Sequence, residues 1–178
     1  MKVRVDVIKD KLLNLSAVED VTDYPSLAAL HDEGDCTFIE PLRIELTVVK
    51  EYDHVRAEGK VETRTRLSCS RCLTDYEAVI ASPFTIFYIP GSDAAQDEEV
   101  ELAEQDLISV AYSGDEIDFT NEIAEQVLME IPLKPLCKEE CKGLCIICGT
   151  DLNLADCGCS RAPANLTFSA LQNLKIEK

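Results

Sequence analysis

A chain of 178 residues with 46% hydrophobic side chains can bury a core as one large domain, or as a domain with an appended module. Charged or polar residues break every apolar run before the ~18 residues a membrane-spanning helix needs, so no helical span is expected. The net charge of −17 argues against binding bare nucleic acid by counterion release and points to basic protein partners, or to RNA met by a small local basic face.

In chain order, Met1-Lys2-Val3-Arg4-Val5-Asp6-Val7 alternates charge with valine and has no apolar stretch of the signal-peptide kind. A strand over residues 2–8 at a native start is expected, in a protein that stays in the cytoplasm. Residues 9–40 read as irregular, with turn signals at Asp23-Tyr24-Pro25 and Glu33-Gly34-Asp35. Three period-2 segments follow. Leu42, Ile44, Leu46 and Val48 share one inward face. Val55, Ala57, Gly59, Val61 and Leu67 form a second, with Glu58, Lys60, Glu62, Arg64 and Arg66 outward. Tyr76, Ala78 and Ile80, then Phe84, Ile86 and Tyr88, form a third, with a bend expected near Ser82-Pro83. Short links between these segments predict an antiparallel sheet, barrel-like or half of a sandwich. Its face should bury Ile44, Leu46, Val48, Val61, Leu67, Ile80, Phe84 and Ile86, because a slip of one residue would turn the whole set to solvent.

From Gly91 to Glu104 the chain carries Asp93, Asp97, Glu98, Glu99, Glu101 and Glu104, the composition of a solvated acidic loop. Helices are expected at Leu102–Val110 and at Thr120–Ile131. The second has Thr120 as N-cap and Ile123, Val127, Leu128 and Ile131 on one face, and ends before Pro132 and Pro135. A closing helix is expected from Pro163 to Leu174, presenting Leu166, Leu171 and Leu174. The fold class is therefore α+β: an antiparallel β core followed by short helices and a C-terminal Cys-rich segment. The expected division is a β-rich core with helices over residues 1–135 and a zinc-ribbon-like module, packed on the core, over residues 136–178.

Nine cysteines in a reducing cytosol read as metal ligands or redox groups, not disulfides. Cys69-x2-Cys72 lies between two strands, where two intervening residues let both sulfurs face one tetrahedral centre. Cys145-x2-Cys148 runs straight into Gly149, which can take the left-handed conformation of a knuckle. Cys137-x3-Cys141 sets two thiols one helical turn apart. Cys157-x-Cys159 would set two on one side of an extended strand, with Gly158 between. Four chelating pairs make two tetrahedral zinc sites, leaving Cys36 as a small buried hydrophobe. Two all-thiolate zinc sites would take the net charge to about −21. The expected arrangement groups Cys69, Cys72, Cys137 and Cys141, and separately Cys145, Cys148, Cys157 and Cys159. The other groups Cys137, Cys141, Cys145 and Cys148 and joins Cys69 and Cys72 to Cys157 and Cys159.

No enzyme is visible in these residues. Thioredoxin-type chemistry needs a βαβ context that the first CxxC lacks. Catalytic zinc needs an open position and usually paired histidines, and His31 and His54 stand in no such motif. The chain also lacks a phosphate-cradling Gly loop, a nucleophile elbow and any carboxylate pair set apart as acid and base.

Cys69-Ser70-Arg71-Cys72-Leu73, then Pro132-Leu133-Lys134-Pro135-Leu136-Cys137, then Cys141-Lys142-Gly143-Leu144-Cys145-x2-Cys148-Gly149-x2-Leu152-Asn153 resemble the YceD-type family. The likeness covers nearly the whole chain in the same order; Ile146 departs from a frequent proline. The resemblance implies a role in processing or stability of precursor 23S rRNA, or in large-subunit assembly, and no activity at any residue. Three functions compete: a zinc-stabilised factor that binds a large-subunit ribosomal protein, a direct RNA-binding zinc module, and a thiol redox or metal-responsive protein. For the second, the candidate contacts are Arg64, Arg66, Arg71, Lys134, Lys138, Lys142 and Arg161.

Overall fold

A computed structural model describes residues 1–8, 11–34, 36–91 and 109–160. In chain order the strands are β1 (Lys2–Arg4), β2 (Leu13–Glu19), β3 (Cys36–Phe38), β4 (Leu42–Glu51), β5 (His54–Ser68), β6 (Asp75–Pro90), β7 (Ser109–Tyr112) and β8 (Glu116–Asp118). The helices are α1 (Pro25–Glu33) and α2 (Thr120–Glu130).

The period-2 segments become the centre of one sheet, in the order β2-β4-β5-β6-β7 with β3 beside β5. Its pairings are antiparallel except β6 with β7, which is parallel. The end strands β2 and β7 do not pair, so this is an open mixed sheet and not the closed barrel that the strand pattern allowed. β1 and β8 form a separate two-stranded ribbon. From Val55↔Tyr88 to Ser68↔Asp75 the β5–β6 ladder runs without a slip. That register turns Ile44, Leu46, Val48, Val61, Leu67, Ile80, Phe84 and Ile86 into the core, all buried as expected. Each contributes roughly 1.5–3 kcal/mol by leaving water. The opposite face carries ion pairs such as Lys60–Glu62 and Arg64–Glu77.

β3 and β4 lie on the same edge of β5, separated by a bulge. Phe38 pairs with Thr65 and Arg43 with Glu62, so residues 39–42 oppose only Thr63 and Arg64. The Arg64 carbonyl accepts from the N–H groups of Ile39 and Glu40 at 2.9 and 3.3 Å, and buried Thr63 donates Oγ1 to the Glu40 carbonyl at 2.8 Å. The extra residues therefore leave no orphaned polar group among these.

α2 lays Ile123, Ala124 and Val127 on the sheet, and Phe119 meets Tyr88 edge-on with ring centroids 5.1 Å apart. Two details differ from expectation. Thr120 is the first helical residue, and Asp118 holds its N–H at 3.0 Å, so the carboxylate, not the hydroxyl, closes the helix start. Leu128 is 36% exposed, since the apolar stripe passes through Ala124 instead.

Other expectations are corrected by tertiary contacts. The strand of residues 2–8 stops at Arg4, because Val5 turns to donate its N–H to Asp115 O and a single helical turn carries the chain to Ile8. Residues 9–40 are not irregular throughout: they hold β2, α1 and β3. The two turn signals there are helix punctuation, with Pro25 at the start of α1 and Gly34 closing it at φ 83°. β6 runs unbroken through Ser82-Pro83, where its outer edge has no strand partner among the described residues, a setting that tolerates a missing N–H. Ser109 and Val110 belong to strand β7 and not to a helix. The rest of the expected helix at 102–110, the acidic loop after Gly91 and the closing helix at 163–174 lie outside the described residues. Among those residues, no helix is long and apolar enough to cross a membrane.

Candidate metal centres

The β5–β6 hairpin tip carries the first thiol pair. Cys69 donates its N–H to Thr74 O at 3.0 Å and accepts from Leu73 N–H at 2.9 Å, with Leu73 in the left-handed region at φ 59°. The tip is tied to the distant chain when Ser70 N–H donates to Pro135 O at 2.8 Å. That contact brings up Cys137 and Cys141, the latter closing a single turn through its N–H to Lys138 O at 3.1 Å. Cys69 Sγ stands 3.7 Å from Cys141 Sγ, and Cys72 Sγ 3.7 Å from Cys137 Sγ. Tyr76, Leu136 and Leu144 pack around this buried group.

The second group forms within a short stretch. Cys145 N–H donates to Thr150 O and Gly149 N–H to Cys145 O, both at 2.8 Å, with Gly149 at φ 73°. Cys157 and Cys159 complete it. They do not lie on an extended strand: Gly158 sits at φ 64°, and that left-handed turn brings both flanking thiols to the same centre. Cys148 is exposed, so this group sits at the surface.

The structure thus groups Cys69, Cys72, Cys137 and Cys141, and separately Cys145, Cys148, Cys157 and Cys159, with the sulfurs of each group within 4.8 Å of one another. A disulfide needs about 2.05 Å between sulfurs, far shorter than 3.7 Å. Four Zn–S bonds of about 2.3 Å define a tetrahedron with S···S edges of about 3.8 Å, close to the two 3.7 Å separations in the first group. Both groups can hold a metal ion, and four soft thiols suit zinc.

Protonation supports the same chemistry. Burial works to raise the Cys69 pKa, yet backbone N–H groups around it, those of Cys137, Cys72 and Arg71, hold it at about 6. Cys137 is pushed up to about 12 by burial and by the thiols of Cys72, Cys141 and Cys69. In the second group Thr150 holds Cys148 at about 6, while Cys148 and Cys157 push Cys159 to about 12. Crowded thiols of this kind cannot all ionise unless a cation replaces the remaining protons.

Two neighbours of the first group carry roles that spacing alone did not reveal. Arg71 donates its N–H to Cys69 Sγ at 3.5 Å and its guanidinium to the carbonyls of Cys141 and Glu139 at 2.8 and 3.3 Å. Asn153 donates Nδ2 to Cys141 Sγ at 3.4 Å. The signal for Asn153 was its place in the Gly143–Asn153 string.

The other singled-out residues scatter. Cys36 is buried among the core side chains, away from both groups, and burial raises its pKa. His31 accepts Phe38 N–H at 3.1 Å, and His54 lies against Glu51 and Asp53. Arg64 pairs with Glu40 and Glu77, and Arg66 with Glu77. Lys134, Lys138 and Lys142 have no carboxylate within ion-pair distance among the described residues, and Arg161 lies outside those residues.

A curated relative in Arabidopsis thaliana, a large ribosomal RNA subunit accumulation protein YCED homolog 1 described as chloroplastic, is 25% identical over 197 aligned positions, covering 98% of this chain and 58% of its own length. A homolog of the same name in Zea mays is 26% identical over 148 positions, covering 71% of this chain and 50% of its own. An uncharacterized protein of Mycobacterium bovis is 34% identical over 113 positions, covering 62% of this chain and 51% of its own. The chain therefore spans about half the length of these relatives. No solved structure matches it significantly. The family model described as large ribosomal RNA subunit accumulation protein YceD matches residues 57–175, a span that contains both four-cysteine groups and omits Cys36, and by that match the chain belongs to the YceD family.

Proposed function

We propose that the chain is a non-enzymatic, zinc-stapled factor in ribosome biogenesis, acting in the cytoplasm. It supports the accumulation of large-subunit (23S) ribosomal RNA by binding a basic protein of that subunit. The family's name supports the pathway. Two zinc ions, one per group of four cysteines, would be structural, because four thiolates leave no open coordination position for a substrate. In this reading the core of residues 1–135 and the Cys-rich module from residue 136 are joined by the first centre, to which each side brings two thiols.

The choice of partner rests on the state of the cations. Arg64 and Arg66 are paired with carboxylates and Arg71 is spent on backbone carbonyls, so three of the seven candidate RNA contacts are already engaged. Residues 132–160 carry no aromatic side chain on which a base could stack. They do expose Leu133, Ile146, Ile147 and Leu154, the kind of surface a protein partner covers. The direct RNA-binding reading keeps one supporting observation, that Lys134, Lys138 and Lys142 have no ion-pair partner among the described residues.

Binding of the purified chain at about physiological salt, to 23S fragments and to separate large-subunit proteins, tests the choice. Tighter binding to a basic ribosomal protein is expected. Submicromolar binding to RNA alone, abolished by charge reversal at Lys134, Lys138 and Lys142, would replace this reading with the RNA-binding one.

A further inference from the structure

We propose that Asn153 couples the two four-cysteine groups, so that a metal ion in the surface group strengthens metal binding in the buried one. The inference rests on the reading of both groups as metal centres.

The Asn153 side chain is fixed on every polar atom. Nδ2 donates to Cys141 Sγ at 3.4 Å and to Asp151 Oδ1 at 2.7 Å, and Oδ1 accepts Lys142 N–H at 2.9 Å. Its own backbone N–H also donates to Asp151 Oδ1, at 2.8 Å. The residue is therefore part of the buried centre's surroundings, although it follows the surface knuckle in sequence.

What holds Asn153 there is that knuckle. Cys145 N–H meets Thr150 O at 2.8 Å, Leu144 pairs with Asp151 as an isolated bridge, and Leu152 N–H donates to Gly143 O at 2.9 Å. Between Lys142 and Ser160 the buried residues are Gly143 and Cys145, and Leu144 packs on the buried centre, so residues 146–159 have no apolar core to order them. Their shape depends on the thiols of Cys145, Cys148, Cys157 and Cys159 being drawn to one ion. Filling the surface group orders residues 150–153, and that presents the Asn153 amide to Cys141.

The amide matters because four thiolates around one divalent cation leave a net charge of −2. An N–H donor spreads the charge on sulfur, and such outer partners typically change metal affinity about 10–100-fold. Linkage makes the effect reciprocal: a filled buried centre must favour the surface one by the same factor. Loss of the exposed ion then loosens the staple between the hairpin tip and residues 137–141.

The experiment is a Co²⁺ and Zn²⁺ titration of the full chain against chelators, with thiolate-to-Co²⁺ charge-transfer absorption reporting ions bound by thiolate and the surface-cysteine variant isolating the buried centre. Cys157→Ser with Cys159→Ser should leave one bound ion, held at least about 10-fold more weakly than in the parent. Asn153→Ala should keep two ions and weaken the buried centre about as much. Combined with the cysteine changes it should weaken that centre little further, because the coupling is already lost. An unchanged buried-centre affinity in either variant, or full additivity of the two, overturns the coupling while leaving the metal centres standing. Absence of metal binding in the parent chain overturns both readings. If the cysteine variant does not fold, as judged by circular dichroism, Asn153→Ala alone decides: with the coupling lost both ions must bind more weakly, and weakening of one ion only overturns the coupling.

Discussion

Gly143 lies so close to Arg71 that a Cβ on the glycine would stand 2.9 Å from the Arg71 carbonyl oxygen. The same oxygen accepts Leu144 N–H at 3.0 Å, so the hairpin tip and the start of the second knuckle are joined backbone to backbone at this point. Gly143 also holds φ 74°, which any side chain disfavours by roughly 1–2 kcal/mol. Gly143→Ala is expected to push the two segments apart and to lower the metal content of the buried centre before that of the surface one. Metal per chain after dialysis against a weak chelator measures this; full retention at both centres would contradict it.

Arg71 acts as a clamp between the hairpin tip and the carbonyls of Cys141 and Glu139. Lysine keeps the charge but cannot spread its donors across the same fork. Arg71→Lys should therefore destabilise the chain by about 1 kcal/mol and speed chelator-driven metal loss. If Arg71 served mainly as a phosphate contact, lysine would leave metal release unchanged and alter only RNA binding.

Cys36 tests the arithmetic of eight ligands in a chain of nine cysteines. Its side chain is 1% exposed among core residues. Cys36→Ala should leave metal stoichiometry intact and cost roughly 1 kcal/mol as a small cavity in the core. Loss of an ion in this variant would mean that the ligand sets are wrong.

Gly59 sits where β4, β5 and β6 crowd together. A Cβ there would meet the Phe84 ring at 2.6 Å and the Glu45 carbonyl oxygen at 2.7 Å. The ring can swing aside but the carbonyl belongs to a central ladder, so Gly59→Ala should cost about 1–3 kcal/mol in urea denaturation. Phe84→Leu in the same chain should rescue only part of that loss.

Sequence alone determined the inner face of the sheet and the local chelating pairs. Both depend on short spacings: alternation puts Ile44 and Leu46 on one side whatever lies far away, and two residues between Cys69 and Cys72 aim both sulfurs at one point. It also left β2 and α1 unread. The Leu13–Glu19 strand does alternate, but its inward side chains are only half-buried, and the apolar pattern breaks where Val18 faces out and Glu19 in; α1 buries Leu27 alone and shows no apolar stripe. Tertiary structure decided how the four pairs combine, because joining Cys72 to Cys137 means closing a loop over residues 73–136 that no local rule specifies. It also decided that Arg71 reaches the carbonyls of Cys141 and Glu139 and that Asn153 reaches the other centre. Those assignments follow from which backbone groups needed partners once β5, β6 and residues 135–144 had met.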